Sequence, residues 1–308
     1  MTRLLLAAAL AAGIGAAQTA RPPASWLDPD RTAPPGTVYS TFISRLAGGE
    51  VSYLVYLPPD YEAAKDHRYP VVYWLHGLGG NQRAGGKFAA LLDANIRSGK
   101  QPPMIAILVN GMRDSFYNDS PDGKWPIESV IVKELIPHVD KTYRTLARRE
   151  ARAIEGYSMG GYGAAHLGFK YPELFGIVGV MAGALITPRE AVQPAVFAKM
   201  FGSDPAYVQA NDPFALVAKN AEAIRGKTVV RIAVGDQDSL KVRNQALHEL
   251  LGQLKIDHEY ELVPGVAHNG NLFYSTLGDR AFTWYRNVSP LWGGSPTGPV
   301  EPSNAHEK

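Results

Sequence analysis

Ser158 stands in EGYSMGG, one hydroxyl among glycines, with the run ARAI before it and the small-residue series YGAAHLG after it. The G-x-S-x-G spacing predicts a tight strand-to-helix turn that raises the serine hydroxyl at the carboxyl end of a sheet. Gly156 and Gly160 fit that turn, because a Cβ on either side of the serine would collide where strand and helix pass closely. A serine hydroxyl is a poor nucleophile without help. The motif therefore calls for an acid and then a histidine later in the chain. A serine that merely caps a helix is the bland alternative, and it would need neither partner.

Of the eight histidines, His268 alone follows a late strand, in YELVPGVAHNGN, on a glycine-containing loop that can carry the imidazole to the serine. His138, His166 and His248 fall in helical patterns, His67 and His306 in polar segments, and His258 begins the last strand. His76 closes an early strand and precedes the serine, which suits a structural or pocket-shaping residue better than a base. The acid belongs after VVRIAVG, where DQDSL offers both Asp236 and Asp238. Acyl transfer also needs two backbone N–H donors for the developing oxyanion. The amide of Met159, beside the nucleophile, and that of Leu78, in WLHGLGGN, are the candidates.

The elements that would position these groups can be read from periodicity. TVYSTFISR and EVSYLVYLP alternate as half-exposed antiparallel strands do, whereas PVVYWLHG, MIAILVN, RAIEG, GIVGVMAG and VVRIAVG are short and bounded by glycine or polar turns. These predict buried parallel strands. SVIVKELIPHVDKTY and RNQALHELLGQLKI carry apolar residues at three- and four-residue spacing and predict helices. Alternation of this kind implies an α/β fold, a mostly parallel sheet with helices on both faces.

Composition excludes several classes. The 31 basic and 29 acidic residues leave a net charge of +2, without the basic, aromatic-interleaved patch of a nucleic-acid binder. The absence of cysteine removes disulfides, thiol nucleophiles and thiolate metal sites. Residues 1–17 read as a signal peptide: Arg3, an apolar run over 4–12, then Gly15-Ala16-Ala17, with cleavage after Ala17 or, second, Ala20. With no second apolar run long enough to span a bilayer, a secreted or periplasmic protein is expected. Residues 18–36 form a proline-rich segment, 37–290 one domain without linker or repeat, and 291–308 a flexible tail.

Taken in order, VYLPPDYE, YPVVYWLHGLGG, IVKELIPHVDKTYRT, RAIEGYSMGGYGAAHLGFKYPELFGIVGVMAG, GDQDSL and GVAHNG resemble the esterase D family of α/β-hydrolases. That family includes S-formylglutathione hydrolases, feruloyl and acetylxylan esterases and mycolyltransferases. The resemblance covers nearly the whole domain and implies an α/β-hydrolase fold of about eight strands, a serine esterase working through an acyl-enzyme, and no metal or organic cofactor. In the family the acid precedes a small or aromatic residue plus leucine, which selects Asp238 in QDSL. Relatives also place a loop beside the site where this chain has YNDSPDGKWPIES, implying a substrate pocket lined by Tyr117 and Trp125, with His76 and Tyr157 beside it. Two features depart from the family. HGL stands where cytosolic S-formylglutathione hydrolases read SGL, and AHNGN stands where many members read GHDW or GHDF. The substrate implied is a small-molecule or carbohydrate-linked ester with a short or aromatic acyl group. Acyl transfer to a sugar hydroxyl and a non-catalytic carbohydrate- or surface-binding role are the alternatives.

Overall fold

Each of the buried apolar runs forms a strand, and the strands join one sheet in the computed structural model, which describes residues 25–185, 194–288 and Trp292. In chain order they are β1 (Thr37–Ser44), β2 (Gly49–Tyr56), β3 (Val71–Leu75), β4 (Ile105–Val109), β5 (Arg152–Tyr157), β6 (Ile177–Met181), β7 (Val229–Gly235) and β8 (His258–Val263). The eight-stranded order is β1-β2-β4-β3-β5-β6-β7-β8. β1 with β2 and β2 with β4 pair antiparallel, and all other pairs are parallel. The α/β-hydrolase architecture read from the sequence is therefore the observed one. One detail differs: β2 is not half-exposed, since Val51 to Tyr56 are all buried. Lying between β1 and β4, it is an inner strand.

The helices are α1 (Gly86–Arg97), α2 (Ile127–Val130), α3 (Ile136–Thr142), α4 (Met159–Lys170), α5 (Pro194–Phe201), α6 (Pro205–Asn211), α7 (Pro213–Lys219), α8 (Ala221–Ile224), α9 (Lys241–Gln253), α10 (Gly270–Leu277) and α11 (Arg280–Val288). A π-helical turn at Ile131–Leu135 joins α2 to α3. Pro137 has no N–H to give back to the preceding turn, and the π turn just before it accommodates that loss.

Because strand side chains alternate, the sheet divides its apolar residues between two layers. Val71, Tyr73 and Leu75 face the layer of α4, α7 and the α2–α3 rod. Val72 and Trp74 face the layer of α1, α10 and α11. The second layer includes Trp292, which is fully buried, stacks on Tyr285 at 5.1 Å and donates from Nε1 to the Glu150 carbonyl at 2.8 Å. The flexible tail read for 291–308 is thus corrected at this residue, whose large apolar surface favours docking. At the other end, the Ser52 amide donates to the Trp26 carbonyl at 2.8 Å, and Asn110 Nδ2 donates to the Ser25 and Trp26 carbonyls. The proline-rich segment is therefore tied to the domain from Ser25 onward. The signal-peptide reading and the rest of the tail lie outside the described residues.

Burial of an indole of this size has a measurable consequence. Trp292→Ala should destabilise the protein by about 3–5 kcal/mol. A urea midpoint equal to that of the unmodified protein would contradict the docking.

Candidate active site

β5 ends at Tyr157, and Ser158 takes φ 60° and ψ −116° before α4 begins at Met159. A non-glycine residue held in such a conformation stores about 1–3 kcal/mol of strain. Three backbone bonds fix it: the Ser158 amide donates to Met181 O at 2.9 Å, and its carbonyl accepts from Tyr162 at 3.0 Å and Ala184 at 2.9 Å. The glycine pattern has the steric origin inferred from the sequence. A Cβ on Gly160 would lie 2.0 Å from the Leu75 carbonyl oxygen, and one on Gly156 would lie 2.3 Å from that of Gly160.

The chain after β8 carries His268 to the serine. Its Nε2 lies 2.8 Å from Ser158 Oγ, and its Nδ1 lies 2.8 Å from Asp238 Oδ2. A carboxylate only accepts, so Nδ1 carries the proton toward Asp238 and Nε2 is left to accept from the serine hydroxyl. Asp238 is buried, and its Oδ1 takes the Leu240 amide at 2.8 Å, which fixes the carboxylate plane. Asp236 is engaged elsewhere: its Oδ1 accepts from the Gly265 amide at 2.8 Å and braces the β7 and β8 loops against each other. Of the two candidate acids, only Asp238 meets the imidazole.

One neighbour packs on the ring and another fixes the chain beyond it. Tyr157 stacks on His268 with centroids 5.2 Å apart and planes 26° apart. Asn269, where the sequence departs from the family pattern, caps α10, its Oδ1 accepting from the Leu272 amide at 3.0 Å. The N-cap was recognisable as an asparagine opening a helix. The Leu240 bond could have been anticipated as a local turn of an aspartate onto the amide two residues on. The stacking of Tyr157 left no sequence signal.

On the opposite side, β3 runs into His76 and Gly77. A Cβ on Gly77 would sit 3.4 Å from Ser158 Cβ, so this turn lies directly against the serine. Its shape is set by the Gly79 amide donating to Arg113 O at 2.6 Å and the Gly80 amide donating to Gly77 O at 3.1 Å. The Leu78 amide, between them, has no partner among the described residues. Met159 is the first residue of α4, where an amide has no acceptor within the helix.

The pocket residues expected from the loop are placed differently. His76 is fully buried and lines no open surface. Burial, with a smaller push from the Arg113 charge, lowers its imidazole to about 4 against the opposing bond to the Gly77 carbonyl. The ring is therefore neutral and structural. Tyr117 is likewise fully buried, its hydroxyl donating to the His76 carbonyl at 2.9 Å. It braces the turn from behind, because the loop folds inward at Phe116 and Tyr117, both with positive φ. Trp125 packs partly buried against the core with the Lys199 ammonium 4.8 Å above its ring. Among the described residues no cluster of three or more histidine, aspartate or glutamate side chains is placed to hold a metal.

Serine, imidazole and buried carboxylate in series form an arrangement that can take a proton from a hydroxyl as it attacks, and relatives carry the same fold. The family model described as "Putative esterase" matches residues 44–287. An endo-1,4-beta-xylanase/feruloyl esterase of Xylanibacter ruminicola is 35% identical over 170 residues, 52% of this chain and 23% of that protein. The chain thus spans under a quarter of that relative's length. An acetyl esterase of Caldicellulosiruptor saccharolyticus is 26% identical over 265 residues, covering 80% of this chain and 97% of its own. Among solved structures, a ferulic acid esterase shares the fold with a TM-score of 0.70 at 23% identity, over 80% of this chain and 96% of that one. The chain belongs to the putative esterase family and has an α/β-hydrolase fold.

Proposed function

We propose that the chain is an exported serine esterase that cleaves carboxylic esters with short or aromatic acyl groups, the alcohol side being a sugar or a simple alcohol. The observation that carries the chemistry is the unbroken relay Ser158–His268–Asp238, 2.8 Å at each step. Ser158 Oγ attacks the acyl carbon while His268 Nε2 takes its proton, and Asp238 holds the imidazole and offsets its charge. The Leu78 and Met159 amides face the oxygen that becomes negative. Collapse of this intermediate expels the alcohol, which takes its proton from His268. Water then attacks the acyl-serine by the same route in reverse, releasing the acid and restoring the serine. The acyl preference is supported by the relatives, one named an acetyl esterase and another a xylanase/feruloyl esterase. Export is supported by the leader-like residues 1–17.

Two experiments test this reading. On p-nitrophenyl acetate, Ser158→Ala and Asp238→Asn should each lower kcat by about four orders of magnitude. Asp236→Asn, which loses only a loop brace, should stay within about tenfold of the unmodified enzyme. Full activity in Ser158→Ala, or a larger loss at Asp236 than at Asp238 in folded variants, would refute the assignment.

The second experiment is a panel of acetyl, butyryl, octanoyl and methyl ferulate esters, run with and without an added sugar. Turnover is expected on the short or feruloyl esters, with octanoyl poorest and free acid as product. Octanoyl as the best substrate would contradict the acyl class. Acylated sugar as the main product would make the enzyme a transferase.

A further inference from the structure

Glu155 lies on β5, three residues before the nucleophile, and is fully buried. Its neighbours in register form one row across the sheet: Trp74 on β3, Gly179 on β6, Arg231 on β7 and Glu259 on β8. Gly179 leaves the space that Glu155 fills, since a Cβ there would lie 2.8 Å from Glu155 Cγ. Arg231 faces Glu155 across that space while pairing with Glu259 and Glu261.

The covering layer supplies donors. Tyr274 of α10 donates to Glu155 Oε1 at 2.9 Å, and Tyr285 of α11 donates to Oε2 at 2.7 Å. Trp74 Nε1 donates to the Tyr274 hydroxyl at 2.9 Å, which directs that hydroxyl's own hydrogen at Glu155. Every donor in this network points toward the carboxyl group, and no acceptor is offered to it. An ionised Glu155 satisfies the set, whereas a protonated one would have to displace a tyrosine to place its own hydrogen.

Tyr274 sits six residues after His268, on the helix that begins two residues after it. The Tyr274 ring also packs at 6.4 Å on Tyr157, which in turn stacks on His268 and touches Phe273 of α10. Glu155 thus touches no reacting atom, yet it joins the strand that leads into the serine to the helix that follows the histidine.

We infer that Glu155 is a positioning residue: through its carboxylate it clamps Tyr274 and α10, and so holds the His268 imidazole in line with Ser158. The inference rests on the proposed roles of Ser158, His268 and Asp238. Burial raises the Glu155 carboxyl to about 7, against the pull of Tyr285, Tyr274 and Arg231. The groups facing it are Tyr274 from α10, Tyr285 from α11, Arg231 from β7, Trp74 from β3 and Tyr157 on its own strand. Because the folded value lies above the ordinary 4.5, the folded chain holds the extra proton between about 4.5 and 7. This group's contribution to stability therefore falls as pH rises through that window. The clamp tightens over the same window. Stability and turnover move in opposite directions, which a purely structural network would not produce.

Glu155→Gln tests this, since it keeps the shape but removes the charge and one acceptor. Expected are a kcat lower on the order of tenfold, short of the hundredfold that a full ångström of misplacement costs, with KM unchanged. The acid limb of log kcat should be steeper than one proton in the unmodified enzyme and reduced to one in the variant. Thermal stability at pH 8 should be equal or higher, because a buried charge is gone. A folded Glu155→Gln with unaltered kcat and acid limb would overturn the inference. So would a parallel loss of stability and activity at pH 8. Should that variant not fold, Tyr274→Phe removes one donor while keeping the ring, and unaltered kcat there would overturn it equally. Failure of the underlying roles is a separate result, read from activity that survives Ser158→Ala.

Discussion

The site depends on one close approach, that of the first turn of α4 to the end of β3, where the backbone of Gly160 lies against the Leu75 carbonyl without room for a single carbon. This contact forces the chain to turn within one residue, and that residue is Ser158 at φ 60°. Because Leu75 pairs in register with Gly156, the same contact sets where β3 ends and the His76-Gly77 turn begins. The Ser158 turn and the His76-Gly77 turn are therefore two outcomes of one packing constraint.

Buried carboxylates serve three different purposes in this chain. Asp238 is offered an imidazole and one amide and so joins His268 to the loop after β7. Glu128 is pushed up by burial, but the hydrogen bonds and charges of His166 and Lys170 outweigh this and hold it at about 2. It fastens the helical rod after residue 127 to α4. Glu155 is buried more deeply and meets mainly neutral tyrosine hydroxyls, so its carboxyl rises instead of falling. The difference follows from partner charge together with depth, since burial favours the neutral form and only Glu128 has cationic partners in direct contact to oppose it.

Much of this was legible from local patterns. The strands announce themselves as short apolar runs, and the Ser158 turn as a glycine spacing with a steric cause. His268 followed from its place after the last strand. Asp236 and Asp238 share one loop, and choosing between them by spacing alone is impossible because side-chain direction there depends on the Leu240 and Gly265 amides. Tyr117 was misread as a pocket residue because a polar loop sequence gives no sign that it folds inward beneath the His76 carbonyl. Trp292 was misread for the opposite reason, as one large apolar residue in a proline- and glycine-rich stretch carries no periodicity. Glu155 looked like part of the nucleophile motif, and its partners lie 119 and 130 residues away in sequence.

The order of the elements has a temporal consequence. The His76-Gly77 turn and the Ser158 turn follow β3 and β5, but Asp238 and His268 follow β7 and β8, and the helices α10 and α11 come after them. A chain emerging from the ribosome holds the Ser158 turn before it holds the imidazole that meets it. The Ser158–His268–Asp238 relay is thus completed late, together with docking of the C-terminal helices, and a chain that lacks its last elements has the serine turn without the relay.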